Sequence, residues 1–247
     1  MKLNEIIEFA DELAPFDTAA EWDNVGLLVG SPDTEISRVL LALDITPAVA
    51  EEAKKIGAQL IISHHPVIFS PLHALRPDSA EYLLAKYDIA ALCLHTNLDR
   101  ADMGVNTFLS AALDLDNVVF YPEEFLLIGE PHEPCAAEDY AAYIKRRLHA
   151  PSVRFTQGKV SRVAISSGGG GEGVELAQKY GFDAFVTGEL KHHQYLYAVQ
   201  HGIAAFDAGH FSTENVVIAP LKSMLADRFP DVDFMISERL DCPYRAV

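Results

Sequence analysis

The segment Gln59-Leu60-Ile61-Ile62-Ser63-His64-His65-Pro66 constrains this chain more than any other, because an apolar run ends abruptly in two adjacent histidines and a proline. Its β-branched content and its flanks, Gly57 and Pro66, predict a short buried strand whose carboxyl end opens into a loop. Ligands of open α/β sheets collect beyond such strand ends. Successive side chains of an extended chain point to opposite sides, so His64 and His65 are not expected to grip one ion from the same direction. They suit two ions, or one ion and a core contact.

The surrounding pattern supplies the sheet. Leu3, Ile6, Ile7, Ala10 and Leu13 recur at helical spacing and predict an amphipathic helix over 3–13. Glu21 to Gly30 reads as a turn followed by a strand, with Trp22 as a packing anchor and Asp23-Asn24 as turn chemistry. A strand over 39–45, a helix over 48–56 and the histidine strand then form a βαβ unit, which requires a parallel sheet. A helix over 79–87 leads to a strand over 89–94 that ends in His95-Thr96-Asn97-Leu98-Asp99. A helix over 102–113 and strands near 118–121 and 125–128 complete the first half.

After the prolines at 122, 131 and 134, a helix over 136–148 and a strand over 160–166 open what reads as a second copy. Arg38 to Gly57 and Arg162 to Gly181 have equal length and the same order of elements. Ala90-Ala91-Leu92 runs on to His95 and Asp99, and Ala204-Ala205-Phe206 runs on to His210 and Glu214. An internal duplication follows, with domains at 1–122 and 123–247 and a C-terminal segment free to pack back on the first. The expected class is α/β: two similar three-layer domains with mainly parallel sheets and a metal site in the cleft between them.

Composition narrows the function. The formal charge is −17, from 36 acidic and 19 basic residues. Lys145-Arg146-Arg147 is the longest basic cluster, so polynucleotide binding is disfavoured. No apolar run approaches a membrane span and the first residues lack a signal-peptide core, so the cytoplasm is the expected location. Cys93, Cys135 and Cys242 show no paired spacing, which argues against a disulfide framework or a thiolate zinc site, and Cys93 reads as core. An anionic small substrate would need local positive charge, and bound metal ions are its natural source.

Strand ends offer His64, His65, His95 and Asp99 from the first half and Glu189, His210 and Glu214 from the second. Imidazole and carboxylate without thiolate suit zinc, manganese, iron, cobalt or nickel. A helix is expected to start near Ser212, placing Glu214 in its first turn close to His210, where a carboxylate can bridge two ions. The competing reading of that element is an N-terminal cap with an acidic first turn.

Together, Ile62-Ser63-His64-His65-Pro66, His95-Thr96-Asn97-Leu98-Asp99, Thr187-Gly188-Glu189 with His192-His193, Asp207 to Glu214 in Gly-His-x-x-x-Glu form, and Trp22-Asp23-Asn24-x-Gly26-Leu27 resemble the Nif-three-like dinuclear-metal family over essentially the whole chain. Its members are commonly labelled type 2 GTP cyclohydrolase I homologues. The resemblance implies two divalent ions, with His65 and Asp99 on one, His64 and His210 on the other, and Glu214 bridging them. It implies substrate-side or supporting roles for His95 and Glu189, and tilts His192 and His193 from a solvated helix face toward proton transfer or phosphate binding. It also implies a ring-shaped homohexamer, a trimer of dimers. Longer members insert a mid-chain domain, for which 123–134 is too short here.

Such a centre suits hydrolysis of a small molecule, with nucleotide ring opening by resemblance and a phosphoesterase as the alternative. A non-enzymatic ring-forming metal-binding or scaffold protein is the reading from another class. Asp44, at a strand end, is a candidate supporting carboxylate. Gly168-x-Gly170-x-x-Gly173 matches a dinucleotide fingerprint with Glu189 as the ribose acid. Glu172 would repel a pyrophosphate, however, and a flexible turn is the favoured reading of the glycine run. His73, His132, His149 and His201 read as surface residues.

Overall fold

The computed structural model describes residues 1–239 and 241–246. From the amino terminus it forms α1 (Leu3–Leu13), β1 (Gly26–Val29), β2 (Arg38–Ala42), α2 (Pro47–Ile56), β3 (Leu60–Ser63), α3 (Ala80–Tyr87), β4 (Ala90–Cys93) and α4 (Thr96–Arg100). There follow α5 (Val105–Ala112), β5 (Asp116–Tyr121), β6 (Leu126–Glu130), β7 (Cys135–Ala136), α6 (Ala137–Arg147), β8 (Arg154–Phe155), β9 (Lys159–Val160) and β10 (Val163–Ser166). The last are α7 (Ala177–Tyr180), β11 (Ala184–Thr187), α8 (His192–His201), β12 (Ala204–Asp207), α9 (His210–Glu214), α10 (Ile218–Arg228) and β13 (Asp233–Ile236).

Two compact units result: residues 1–103 with 218–241, and residues 104–217 with 242–247. The sequence division at 122/123 would separate β5 from β6, which pair antiparallel in one sheet. The chain passes from one unit to the other before α5 instead.

The first unit holds a sheet in the order β1-β4-β3-β2-β13, with β1 antiparallel and the other neighbours parallel. Its strands are apolar on both faces, as helix-covered parallel strands must be. Leu40, Ala42, Ile61 and Ala91 pack under α2 and α3 through Val49, Ala50, Ala53, Leu83 and Leu84. Their neighbours Val39, Leu41, Leu60, Ile62 and Leu92 are fully buried on the other face. α2 begins at an N-cap, with the Thr46 hydroxyl accepting from the Val49 amide at 3.3 Å and Pro47 in its first turn.

The second unit holds the order β5-β6-β10-β11-β12-β8, parallel across β10, β11 and β12 and antiparallel elsewhere. Leu127, Val163, Ile165, Val186 and Phe206 meet α5 and α6 on one face. Leu126, Ile128, Ala164, Phe185 and Ala205 meet the segment 174–177 and α8 on the other. Each unit is therefore helix, sheet, helix.

The units repeat details beyond element order. Gly57 ends α2 and Gly181 ends α7, both left-handed at φ 71° and 70°. Gln59 Oε1 accepts from the amides of Ser37 and Arg38, and Asp183 Oδ1 accepts from those of Ser161 and Arg162. Registers are matched too: Ala42 pairs with Ser63 and Ser63 with Cys93, while Ser166 pairs with Thr187 and Thr187 with Asp207. Within each unit, three parallel strands thus end level with one another.

This ordering predicts where stability resides. Ile61 is fully buried at the centre of the first sheet. Ile61→Ala is expected to lower the unfolding free energy by about 2–5 kcal/mol, read from the denaturant midpoint. A smaller loss would mean that the α2–α3 layer collapses onto the vacancy.

Candidate metal centre

The level strand ends explain which side chains meet. Beyond β2, β3 and β4 lie Asp44, His64 with His65, and His95. The imidazoles of His64, His65 and His95 each offer a ligand nitrogen within 4.8 Å of the others. His64 is buried and His65 and His95 are half-buried. The alternation expected to separate His64 from His65 ends with β3 at Ser63, whose hydroxyl donates to the His65 carbonyl at 2.8 Å. The two rings therefore lie 5.0 Å apart, inclined by 45°. Asp99, on α4, has a carboxylate oxygen 3.8 Å from His64 Nε2.

Each imidazole is oriented through Nδ1. That atom lies 2.8 Å from the Leu94 carbonyl in His64, 2.8 Å from Asp44 Oδ1 in His65, and 2.8 Å from Asp23 Oδ1 in His95. Holding Nδ1 this way selects the tautomer with Nε2 as the donor atom toward a cation. Asp44, at the end of the β2 segment, is thus the side-chain partner of His65.

Asp23 corrects the reading of its segment as turn chemistry. Its side chain has no exposed surface. It accepts from His95 and, through Oδ2, from the Thr96 amide at 3.0 Å and the Thr96 hydroxyl at 2.5 Å. Burial pushes its carboxyl up, but the hydrogen bonds from His95 and Thr96 outweigh that and hold it well below the usual carboxylate range. Trp22 is corrected as well: the residue is 62% exposed and anchors no core. Cys93 is core, as expected; burial pushes its thiol up and Sγ donates to the His64 carbonyl at 3.1 Å.

The second unit repeats the plan with β10, β11 and β12. Gly168, Glu189 and His210 lie just beyond the level ends, and His210 Nδ1 is 2.8 Å from Glu189 Oε1. The helix starts at His210, not Ser212, with Gly209 before it at φ +89°. His210 and Glu214 therefore stand one turn apart on one helix, with Nε2 3.0 Å from Oε2. Glu214 is 4% exposed.

The glycine run is a tight seat and not a flexible turn. Gly168 has φ +55°, its amide donates to Thr213 Oγ1 at 3.1 Å, and a Cβ there would lie 1.9 Å from Glu214 Oε1 and 3.2 Å from His210 Nε2. Gly188 is equally enclosed, since its Cβ would come within 2.7 Å of the Gly168 carbonyl oxygen and of His210 Cα. A pyrophosphate laid on this loop would meet the Glu214 carboxylate, which argues against the dinucleotide reading. His192 and His193 are exposed at the start of α8.

The donor set fits divalent cations. Imidazoles steered through Nδ1 and a buried carboxylate bordered by a glycine are what such ions require of a protein. Sequence patterns missed Asp23, Thr213 and the true role of Gly168, because each acts through a contact with a distant segment.

The family is shown by comparison. These mixed α/β units belong to a protein of the Duf34/NIF3 (NGG1p interacting factor 3) family, whose profile matches residues 1–243. A Staphylococcus aureus (strain MSSA476) protein named GTP cyclohydrolase 1 type 2 homolog is 30% identical over 346 aligned positions, covering 93% of this chain and 94% of its own length. That alignment exceeds the 247 residues here, so the relative carries residues this chain lacks. A Campylobacter jejuni protein of the same name is 35% identical over 221 positions, covering 87% of this chain and 88% of its own. The crystal structure of S. aureus protein SA1388 shares the fold at a TM-score of 0.92, with 32% identity and coverage of 100% of this chain and 99% of that one. Among the described residues, no helix is long and apolar enough to cross a membrane.

Asp23 makes a testable contribution to stability. Its carboxyl is depressed in the folded state, so its contribution is complete above the unfolded value, about pH 4, and is lost as pH falls toward the folded value. In metal-stripped protein, Asp23→Asn is expected to reduce the unfolding free energy at pH 7 and to differ less from the parent at pH 3. A difference independent of pH would remove the ionised Asp23–His95 contact from the account.

Proposed function

We propose that this chain is a metal-dependent hydrolase of a small nucleotide, with two divalent ions drawing ligands from both histidine sets: His64, His65 and Asp99 from the first, His210 and Glu214 from the second. The observation that carries this reading is the repeated orientation of His64, His65, His95 and His210 through Nδ1, three of them by carboxylates. A solvated surface has no need of four such arrangements at three strand ends. When bound, the ions would supply an activated water and polarise a substrate oxygen or nitrogen.

The chain's own residues do the rest. His95, oriented through Nδ1 by Asp23, is the proton carrier on the substrate side. Glu189 keeps His210 in the ligating tautomer. Glu214, one turn along the same helix, is the acid proposed to bridge. His192 and His193, at the start of α8, are proposed to meet the phosphate end of the substrate or to shuttle protons. The nucleotide assignment draws on the names of the S. aureus and C. jejuni relatives. The assembly proposed with it is a homohexamer.

Glu214→Ala is expected to lower bound metal per chain without preventing assembly, and to abolish hydrolysis. Metal analysis, light scattering and turnover of GTP and a phosphodiester panel, assayed for formate and free phosphate, check this. Full activity in that variant would end the hydrolase reading, and no turnover across several metals would favour a scaffold.

Gly168→Ala offers an independent test. The added methyl would displace the Glu214 carboxylate, so metal uptake is expected to fall severalfold or more. Gly169→Ala, where a Cβ meets nothing within 4 Å, should leave uptake unchanged. Equal uptake by both variants would show that Glu214 is not needed where it stands.

A further inference from the structure

The geometry points to Trp22 and Phe69 as a stacking platform for a planar heteroaromatic ring, the base of a free nucleotide, beside the imidazoles of the first unit. Trp22 is the single tryptophan of the chain. It is 62% exposed and Phe69 is 52% exposed, although both are residues that folding ordinarily buries. Their ring centroids lie 6.0 Å apart at 49°. The His95 ring lies 6.1 Å from Trp22 and 6.4 Å from Phe69, edge-on to each.

The two aromatics are held by their neighbours in sequence. Asp23, next to Trp22, is bound to His95 and Thr96. Asn24 Nδ2 donates to the Ile68 carbonyl at 2.6 Å, which ties the Trp22 turn to the residue before Phe69. An indole left open on so braced a backbone is set for a contact it does not make within the unit. A ring laid on it sits next to His95, whose ligand nitrogen belongs to the 4.8 Å set with His64 and His65. Every nucleobase has a π-face, and base–aromatic stacking is the usual way of holding one without reading its edges. The charge of −17 disfavours a polynucleotide, which leaves a free nucleotide as the source of that base. This assignment rests on the nucleotide reading above and supplies its base-binding residues.

The test uses Trp22 as its own reporter. Metal-stripped and metal-loaded protein are titrated with GMP, with ribose 5-phosphate as the ring-free control, while tryptophan emission and metal content are recorded. Saturable quenching by GMP and none by ribose 5-phosphate is expected. By calorimetry, Trp22→Ala and Phe69→Ala should each weaken GMP binding about tenfold or more, with Trp22→Phe restoring part of the loss. Both side chains are exposed, so these variants retain the core. Absence of saturable quenching in both metal states overturns the platform. So does emission that changes with protein concentration but not with GMP, which would assign this face to a second copy of the chain. Quenching without metal uptake keeps the platform and removes the metal centre; uptake without quenching does the reverse.

Discussion

The candidate site depends first on the register of three short parallel strands in each unit. Parallel pairing of Ala42, Ser63 and Cys93, and of Ser166, Thr187 and Asp207, ends the strands level with one another. Adjacent strands lie roughly 5 Å apart, so residues just past level ends are near enough for their side chains to share a cation. A slip of one residue in any strand would turn its apolar set to the opposite face and move its histidine out of reach.

On that frame, a second layer of hydrogen bonds converts proximity into orientation. Imidazole has two nitrogens, and an untethered ring would present either. Leu94, Asp44, Asp23 and Glu189 remove that freedom at Nδ1. Three of these four partners are carboxylates and one is a backbone carbonyl. Asp23 is the clearest case, ionised although its side chain is enclosed, since its own hydrogen bonds compensate the loss of water.

Gly168 and Glu214 show the same economy in the second unit. A buried carboxylate beside a histidine needs space that a side chain would fill, and at Gly168 a Cβ would fall on the Glu214 carboxylate. The same loop was legible in the sequence only as a glycine run, which fits a flexible turn or a phosphate loop equally well. What distinguishes them is the carboxylate from forty-six residues further along the chain.

Periodicity and punctuation by themselves determined the α/β class, the alternation of the longer strands and helices from α1 to β12, and the strand ends that carry His64, His65, His95 and His210, because apolar patterning and turn chemistry are local properties; α10 and β13 were not legible in them. α1 matched its predicted limits, and most other elements shifted by a few residues at their ends. Tertiary structure alone decided that Asp23 clasps His95, that Trp22 stands open to solvent, that the chain passes between units before α5, and that Gly168 seats Glu214. The contacts of Asp23 and Gly168 join residues distant in sequence through hydrogen bonding or close approach, and no local pattern records which distant partner a side chain will meet, or whether it will meet one.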